Sequence, residues 1–317
     1  MKIVMLEARS LGEDVDLSAY ETLGDFTAYE DTKPEDTPGR IKDADIVVVN
    51  KIPMNEKTLG SADHLKLLCV TATGTNIVDM EYCRKRGITV TNVAGYSTYS
   101  VAQHTFALLF YVLEKLNYYD SYVKSGAYCD SPLFTHLDER FFEIRGKVWG
   151  IIGLGNIGRE VAKIAEAFGC RVIYYSTTGK NSSSAYERVD LDTLLRTSDI
   201  VSIHAPLNAA TDHLMTLEKF EKMKRSAILI NVGRGPIVDE ADLVKALTEG
   251  MIAGAGLDVL SVEPMRKDNP LRKLQDSRKL VITPHIVWAS VEARQRLADE
   301  TAENIRAWMR GEKRNVV

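Results

Sequence analysis

Short apolar runs alternate with stretches of helical periodicity along most of the chain. Four such runs in its N-terminal part are residues 2–6, 45–50, 65–72 and 88–93. Because they are nearly continuous in Val, Ile and Leu, they are typical of parallel strands that are buried on both faces. The stretch 78–87 has helical spacing and ends at Gly87, which indicates a helix stop. The pattern predicts an α/β fold in which helices cover a parallel sheet.

A second series of strands begins at Lys147. Its strands are predicted at residues 148–153, 171–176, 200–205, 227–233, 251–259 and 280–284. Amphipathic spacing over residues 290–311 predicts a helix that closes the chain. Because crossovers between parallel strands are right-handed, we expect both series to form doubly wound sheets.

The segment between the two series has a different pattern. Residues 101–125 predict one long helix, apolar at its start and polar towards its end. Residues 126–146 have no clean period and include two Gly and one Pro, so we expect an arm or a connecting segment. Farther along, residues 177–185 predict a polar loop.

Length and composition narrow the class of protein. The 317 residues are enough for two domains, each with its own hydrophobic core. A formal net charge of −4 argues against a broad nucleic-acid surface, so no nucleic-acid partner is expected. No apolar run approaches the roughly 18 residues of a membrane span, and no membrane partner is expected. The first residues are interpreted as a strand, not as a signal peptide.

Four cysteines, Cys69, Cys83, Cys129 and Cys170, are scattered without a CxxC pair. This usage favours free thiols in a reducing cytoplasm over disulfides. We therefore expect a cytoplasmic protein, and no metal site is expected.

The segment GLGNIG meets the pattern G-x-G-x-x-G through Gly153, Gly155 and Gly158. It follows a predicted strand, opens a predicted helix and precedes a second strand. The first Gly permits a tight turn, the second lets the backbone approach a pyrophosphate, and the third allows the helix to pack closely on the strand. In this context a dinucleotide site is favoured over a purely structural turn.

The position that distinguishes NAD from NADP departs from the usual pattern. Ser176 stands at the end of the second strand, where Asp or Glu would bind the ribose hydroxyls and repel a 2′-phosphate. Thr177 and Thr178 add neutral donors, and Lys180 adds a positive charge nearby. The segment is compatible with NAD held through hydroxyl groups and with a pocket that accepts or prefers NADP, and both remain open.

Polar residues follow three later strands, at the sheet edge where a doubly wound fold binds its ligand. Arg234 follows one strand and His285 follows another. Between them along the chain, Asp258 and Glu263 lie at the end of a third strand. Taken alone, each of Arg234, Glu263 and His285 is more often a surface ion-pair group, a turn residue or a loop cap than a catalytic residue. Together, behind a dinucleotide motif, they favour a catalytic site.

These residue types suit hydride transfer to a 2-keto acid. The guanidinium of Arg234 can bind a carboxylate through two hydrogen bonds and polarise the adjacent carbonyl. Hydride addition leaves an alkoxide, which the imidazole of His285 is suited to protonate near neutral pH. A carboxylate such as Glu263 behind the ring would fix its tautomer and favour its protonated form.

The motifs in order and spacing resemble those of the D-isomer-specific 2-hydroxyacid dehydrogenase family over essentially the whole chain. The segments that carry the resemblance are GLGNIGREVAKIAEAFG, NVGRGPIVDEADLVKAL, GAGLDVLSVEP and TPHIVWAS. The resemblance implies that the catalytic residues are Arg234, Glu263 and His285, and that Asp258 lies beside the nicotinamide. Where formate dehydrogenases of this group have Gln, this chain has Glu263, which speaks against that chemistry.

The resemblance also implies an architecture of two doubly wound parallel-sheet domains. A flavodoxin-like substrate domain would comprise residues 1–99 and 287–317. A Rossmann domain for NAD or NADP would be inserted at residues 100–286, with the active site in the cleft. Its arm near residues 100–146 supports a homodimer in relatives.

Further ligand contacts follow from the same resemblance. For the cofactor they are Thr98, Gly153, Gly155, Asn156, Ile157, Gly158, Ser176, Thr177, Ala205, Pro206, Val232, Gly233 and Asp258. For the substrate they are Thr73, Gly74, Thr75, Arg234, His285 and Trp288. In the loop TATGTN, residues 71–76, backbone N–H groups would bind the substrate carboxylate.

Within the family, NVAGYSTYSVAQHTFALL and ITPHIVWAS are similar to the glycerate dehydrogenases, also called hydroxypyruvate reductases. Gln103 stands where many relatives have Glu, and Trp288 could wall off the substrate side chain or pack between domains. The similarity favours reduction of hydroxypyruvate or glyoxylate to D-glycerate or glycolate. Pyruvate or a larger 2-keto acid remains an alternative substrate, and an NAD(H)-sensing, corepressor-like binding protein remains an alternative function.

Overall fold

The structure, a computed structural model, describes residues 1–180 and 182–317; Asn181, in the predicted polar loop, lies outside the described residues. The chain divides into two units. The first comprises Met1–Ser97 and Trp288–Val317, and the second comprises Thr98–Val287. Each unit has its own parallel sheet with helices, so the predicted α/β class is confirmed.

The first unit is built on a five-stranded parallel sheet in the order β2-β1-β3-β4-β5. Its strands are β1 (Lys2–Met5), β2 (Asp25–Ala28), β3 (Ile46–Val49), β4 (Leu67–Val70) and β5 (Thr89–Thr91). Its N-terminal helices are α1 (Ser18–Glu21), α2 (Thr37–Ile41), α3 (Glu56–Leu59) and α4 (Met80–Lys85). Every residue of the central strands β3 and β4 is buried, which is why their sequences are continuously apolar.

The second unit contains a seven-stranded parallel sheet in the order β12-β11-β10-β9-β6-β7-β8. The strands are β6 (Val148–Ile152), β7 (Arg171–Tyr175), β8 (Glu187–Arg188), β9 (Ile200–Ile203), β10 (Ile228–Asn231), β11 (Gly254–Leu257) and β12 (Leu280–Ile282). The helices are α5 (Thr98–Leu113), α6 (Leu116–Lys124), α7 (Asn156–Ala167), α8 (Leu191–Thr197), α9 (Leu217–Lys222) and α10 (Glu240–Thr248).

The prediction of one long helix over residues 101–125 is wrong. The helix is divided into α5 and α6 because Lys115 adopts a left-handed backbone conformation with φ of 55°. The Lys115 ammonium donates a hydrogen bond to the carbonyl of Arg278 at 2.9 Å. This contact joins residues far apart in sequence, so the local pattern gives no sign of the break.

The segment 126–146 begins with a short 3₁₀ helix, Ala127–Asp130, and is irregular from there to β6. It exposes several large apolar side chains, namely Leu133, Phe134, Leu137, Phe141 and Phe142. Phe134 is 91% exposed, which is extreme for a phenylalanine.

The closing helix α11 (Val291–Met309) belongs to the first unit. The hydroxyl of Ser290 caps it by accepting the N–H of Ala293 at 3.2 Å. Beyond α11, the N–H of Val317 donates to the carbonyl of Val90 at 3.0 Å, so the C-terminal residues cover the free edge of β5.

The four cysteines are free thiols; Cys69, Cys83 and Cys170 are buried and Cys129 is exposed. Among the described residues, no helix combines the length and apolar character that crossing a bilayer requires. Those same residues contain no group of three His, Cys, Asp or Glu side chains placed to hold a metal ion.

Candidate active site

The glycine-rich turn joins β6 to α7, and its three glycines meet different surroundings. Gly153 has φ of 95°, and a Cβ there would lie 2.9 Å from the backbone nitrogen of Ala205. A Cβ on Gly158 would lie 2.4 Å from the carbonyl oxygen of Gly153, so α7 packs tightly on the turn. A Cβ on Gly155 would meet no atom within 4 Å, which leaves open space beside the backbone.

The open space beside Gly155 lies at the start of α7, a helix of 12 residues. Gly155 is the N-cap residue and has no side chain to cap the first N–H groups of the helix. Asn156 and Ile157 form the first turn. Helix N-termini of this kind bind anionic phosphates through backbone N–H groups and the helix dipole. The turn therefore fits the pyrophosphate of a dinucleotide.

Ser176 directly follows β7, the strand beside β6. Its side chain is buried, and its hydroxyl has no hydrogen-bond partner among the described residues. A buried hydroxyl without a partner is unfavourable unless a ligand or water satisfies it, so Ser176 fits a ribose hydroxyl. The guanidiniums of Arg159 and Arg188 donate to the carbonyls of Ser182 and Gly179, at 2.8 and 3.0 Å, and bring positive charge to this loop.

Other residues predicted to contact the cofactor follow strands of the same sheet. Ala205 and Pro206 follow β9, the neighbour of β6, and Val232 and Gly233 follow β10. Parallel neighbouring strands end at one edge of a sheet, so these residues share the edge of the glycine turn. Thr98 is the first residue of α5, and Thr177 follows Ser176 in the half-buried start of the polar loop.

The catalytic candidates follow β10, β11 and β12, which are adjacent at one side of the sheet. Nδ1 of His285 lies 2.6 Å from Oε2 of Glu263. The second carboxylate oxygen, Oε1, accepts the backbone N–H of Leu260 at 2.9 Å. Glu263 is thus fixed by its own loop and in turn fixes the imidazole, which leaves Nε2 as the ring nitrogen that can serve a substrate.

Arg234 is held in an extended conformation on the loop after β10. The Arg234 carbonyl accepts a hydrogen bond from the side-chain N–H of Asn231 at 3.0 Å. The side-chain oxygen of Asn231 in turn accepts the N–H of Gly233 at 3.1 Å. The Arg234 guanidinium donates to the carbonyl of Gly233 at 2.8 Å. The residue is exposed.

Asp258 follows β11 and is 1% exposed. Its Oδ1 accepts the hydroxyl of Thr283 at 2.6 Å and the N–H of Ile286 at 2.9 Å. Its Oδ2 accepts the N–H of Val287 at 3.1 Å. Burial raises the pKa of Asp258, while the three donors and the nearby His285 act in the opposite direction. The carboxylate therefore binds the backbone of the segment that carries His285, a role that the sequence does not reveal.

Four predicted substrate residues lie in the first unit, whereas Arg234 and His285 lie in the second. Thr73, Gly74 and Thr75 follow β4, and the Thr73 hydroxyl donates to the carbonyl of Val93 at 3.0 Å. That hydroxyl is thus committed to the fold. Trp288 is half-buried against the core of the first unit.

Comparisons with known proteins show the family of this chain. Residues 106–287 match the family described as D-isomer specific 2-hydroxyacid dehydrogenase, NAD binding domain. The chain belongs to this family. The resemblance found in the motifs is thereby confirmed, and so is the assignment as an NAD-dependent oxidoreductase of the D-2-hydroxyacid class.

Two relatives of this dehydrogenase are similar along its full length. The glycerate dehydrogenase of Methylorubrum extorquens is 39% identical over 317 residues, which cover 100% of this chain and 98% of the relative. The hydroxypyruvate reductase of Blautia hydrogenotrophica is 39% identical over 324 aligned positions, with 100% and 99% covered. Among solved structures, an acyclic imino acid reductase (Bsp5) in complex with NADPH and D-Arg has a TM-score of 0.87 at 32% identity, with 100% of both chains covered.

Two polar residues that support the site of this dehydrogenase escape sequence reasoning. Asn231 ends β10 fully buried and orders the backbone around Arg234. Thr283 follows β12 and binds Asp258. The available signal is a polar residue at the end of an otherwise apolar strand, which buries a hydrogen-bonding group only where it has a partner.

Proposed function

We propose that this dehydrogenase reduces hydroxypyruvate or glyoxylate reversibly to D-glycerate or glycolate. The observation that carries the chemistry is the hydrogen bond of 2.6 Å between His285 Nδ1 and Glu263 Oε2, on loops that follow adjacent strands. The choice of substrate is supported by the full-length similarity to a glycerate dehydrogenase and a hydroxypyruvate reductase.

In this proposal a bound reduced nicotinamide supplies the hydride, and the side chains bind the substrate, polarise its keto group and transfer the proton. Arg234 binds the substrate carboxylate and polarises the keto oxygen with its guanidinium. His285 gives the proton on Nε2 to the oxygen that becomes the hydroxyl. Glu263 keeps Nδ1 engaged and stabilises the charged imidazole before the proton leaves. In the reverse direction, His285 accepts the hydroxyl proton.

We assign binding of the substrate carboxylate to backbone N–H groups of Thr73, Gly74 and Thr75. In support, the Thr73 hydroxyl already donates to the carbonyl of Val93, whereas the peptide N–H groups of this loop can still serve a ligand. Trp288 packs edge-on against Tyr96, with ring centroids 6.3 Å apart. We propose that this aromatic pair limits the size of the substrate side chain, which suits a small keto acid.

For the cofactor we propose that NADPH is accepted as well as NADH. Ser176 offers a neutral hydroxyl where an acidic residue would repel a 2′-phosphate. Arg159 and Arg188, both bound to the carbonyls of the loop after β7, supply positive charge nearby, and Lys180 is exposed in the same loop. The imino acid reductase with a similar fold was solved with NADPH.

The test is a panel of 2-keto acids, run separately with NADH and NADPH, in which the loss of reduced nicotinamide is followed by absorbance. We expect the highest kcat/KM with hydroxypyruvate or glyoxylate. Preference for pyruvate or a larger keto acid would replace the substrate assignment. Tight binding of the cofactor without turnover of any keto acid would instead favour an NAD(H)-sensing, corepressor-like protein.

We also propose that the partner of this chain is a second copy of itself. A largely apolar groove of about 370 Å³ is lined by Tyr99, Phe106 and Phe110 of α5, by Ile164 and Phe168, and by the polar residues Gln103 and Glu160. The arm after α6 exposes apolar side chains that match such a groove, and exposed patches of this kind mark interfaces.

A location in the reducing cytoplasm suits the four free thiols of this chain.

The homodimer is tested by light scattering coupled to size-exclusion chromatography. We expect twice the monomer mass of 35.3 kDa for the wild type and the monomer mass for Phe134→Glu. Val291→Glu, which charges an exposed apolar residue of α11 outside the arm, should remain dimeric. A monomeric wild type would refute this proposal.

A further inference from the structure

A line of hydrogen bonds runs from α5 to the segment that carries His285. His104, on α5, has Nε2 at 3.2 Å from the hydroxyl oxygen of Thr283. That hydroxyl lies 2.6 Å from Oδ1 of Asp258. The proposed chemistry uses neither His104 nor Thr283, and both are partly buried.

The direction of these hydrogen bonds follows from the groups involved. An ionised carboxylate only accepts, so the Thr283 hydroxyl must donate its single proton to Asp258. The oxygen of Thr283 can then only accept from His104, which places the imidazole proton on Nε2. Burial lowers the pKa of His104, so its ring is neutral at physiological pH and this tautomer is the form that donates.

At the other end, Asp258 binds three consecutive residues of the His285 segment. Its carbonyl accepts the N–H of His285 at 2.8 Å, and its carboxylate accepts those of Ile286 and Val287. His285 has φ of 58°, a left-handed conformation that is unfavourable for a residue with a side chain. Such a conformation persists only where surrounding contacts determine it, and Asp258 supplies three of those contacts.

We propose that His104 is a positioning residue for the acid–base step: it orients Thr283, and through Thr283 and Asp258 it holds the backbone of His285 so that the imidazole stays against Glu263. The effect on catalysis rests on the role of His285 proposed above. The effect on the backbone of residues 285–287 does not.

The decisive variants change one hydroxyl. Thr283→Val keeps the shape of the side chain and removes its donor, whereas Thr283→Ser keeps the donor. Because this hydroxyl donates to a charged carboxylate, we expect kcat with hydroxypyruvate to fall about 10- to 100-fold in Thr283→Val. Thr283→Ser should recover most of that loss. His104→Leu should act in the same direction, and His104→Gln, which retains an N–H, should recover part of it.

A matched control is Thr105→Val. Thr105 is fully buried on α5, next to His104, and its hydroxyl donates to the carbonyl of Val101 at 2.8 Å. This substitution also removes a threonine hydroxyl from the second unit, but it does not touch Asp258. We expect it to leave the measurements described next at their wild-type values.

Two readouts separate positioning from a general loss of stability. Hydrogen exchange of the Ile286 and Val287 amides should accelerate in Thr283→Val and not in Thr105→Val. The acidic limb of the kcat profile should also move to higher pH, because losing a donor raises the pKa of Asp258, and a protonated Asp258 accepts hydrogen bonds less well. The charged or titratable groups facing Asp258 are His104 from α5 and His285 from the segment after β12.

The proposed effect on catalysis and the proposed effect on the backbone of residues 285–287 can fail separately. Wild-type exchange and an unshifted acidic limb in Thr283→Val would overturn the inference even if the enzyme reduces hydroxypyruvate. If the wild type reduces no keto acid, the proposed function fails, and the exchange rates still decide whether His104 and Thr283 hold the segment. A global drop in melting temperature without a local change in exchange would also overturn the inference.

Discussion

Each unit of this dehydrogenase has a carboxylate that follows one strand and binds the backbone of the loop after a neighbouring strand. In the first unit, Glu7 follows β1, and its Oε2 accepts the N–H groups of Asn50, Lys51 and Ile52, after β3, at 2.9, 2.9 and 3.3 Å. In the second unit, Asp258 follows β11 and binds the loop after β12 in the same way.

The two carboxylates differ in what lies around them. Glu7 is partly exposed, and a single oxygen makes its three bonds. Asp258 is buried, uses both oxygens and has Thr283 as an additional donor. The loop held by Glu7 carries none of the side chains of the proposed proton transfer, whereas the loop held by Asp258 carries His285. In both units a carboxylate orders a neighbouring loop by accepting its backbone N–H groups. In the first unit this arrangement stabilises the fold, and in our proposal the same arrangement in the second unit also positions a catalytic side chain.

Apart from substitutions of His285, the largest effect is expected for Arg234→Ala. In our proposal, removing the guanidinium removes both the charge for the substrate carboxylate and the polarisation of the keto group. Because losing one such donor typically costs about 10²–10³ in rate, we expect kcat/KM to fall by at least that factor. Arg234→Lys keeps the charge without the planar fork and should lie between Ala and the wild type. Wild-type kinetics in Arg234→Ala would remove the catalytic role from this sheet edge.

Asp258→Asn tests the comparison directly. An amide presents one acceptor and one donor, so its NH₂ group would face a backbone N–H of Ile286 or Val287. A buried donor left without a partner costs about 1–3 kcal/mol, and we expect a similar loss of unfolding free energy together with a fall in kcat. Chemical denaturation and steady-state kinetics measure the two effects. A stable, fully active variant would show that Asp258 does not hold the His285 loop.

Ser176→Asp asks whether the end of β7 distinguishes the two nicotinamide cofactors. The new carboxylate would repel a 2′-phosphate and accept hydrogen bonds from ribose hydroxyls. We expect the ratio of kcat/KM for NADPH to that for NADH to fall by about tenfold, the equivalent of 1.4 kcal/mol. Ser176→Ala, which removes the hydroxyl without adding charge, is the control. An unchanged ratio in Ser176→Asp would contradict the proposed cofactor pocket.

Glu7→Gln should have the smallest effect. The amide oxygen can still accept from the three N–H groups, so only the assistance from charge is lost, about 1 kcal/mol of unfolding free energy. We expect a small shift in the denaturation midpoint and kcat within about twofold of the wild type. A loss of kcat as large as that of Asp258→Asn would mean that the two carboxylates do not differ in the way the comparison states.

Much of the fold is predictable because the central strands are buried on both faces. The runs that become β3, β4 and β6 are apolar throughout and stand out in the sequence. The sequence does not predict the edge strands β2 and β8. None of the four residues of β2, DFTA, is buried, and β8 consists only of Glu187 and Arg188, which are both exposed. Edge strands need less apolar character than central ones.

The candidate site divides in a similar way. Arg234, Glu263 and His285 can be found because each lies in a motif at the end of a strand. His104 and Glu7 cannot, because their partners lie 179 and 43 or more residues away in sequence. Within α5, nothing in the local pattern marks His104. Only the tertiary structure brings it to Thr283.

The central claim is that His285, oriented by Glu263, supplies and accepts the proton of the reaction. The most direct test measures the rate of NADH and NADPH oxidation with hydroxypyruvate for the wild type and for His285→Gln, and measures cofactor binding by nicotinamide fluorescence. General acid–base catalysis contributes about 10²–10⁴-fold, so we predict a loss of kcat in that range while the cofactor still binds. A His285→Gln variant that turns over hydroxypyruvate at the wild-type rate would contradict the account.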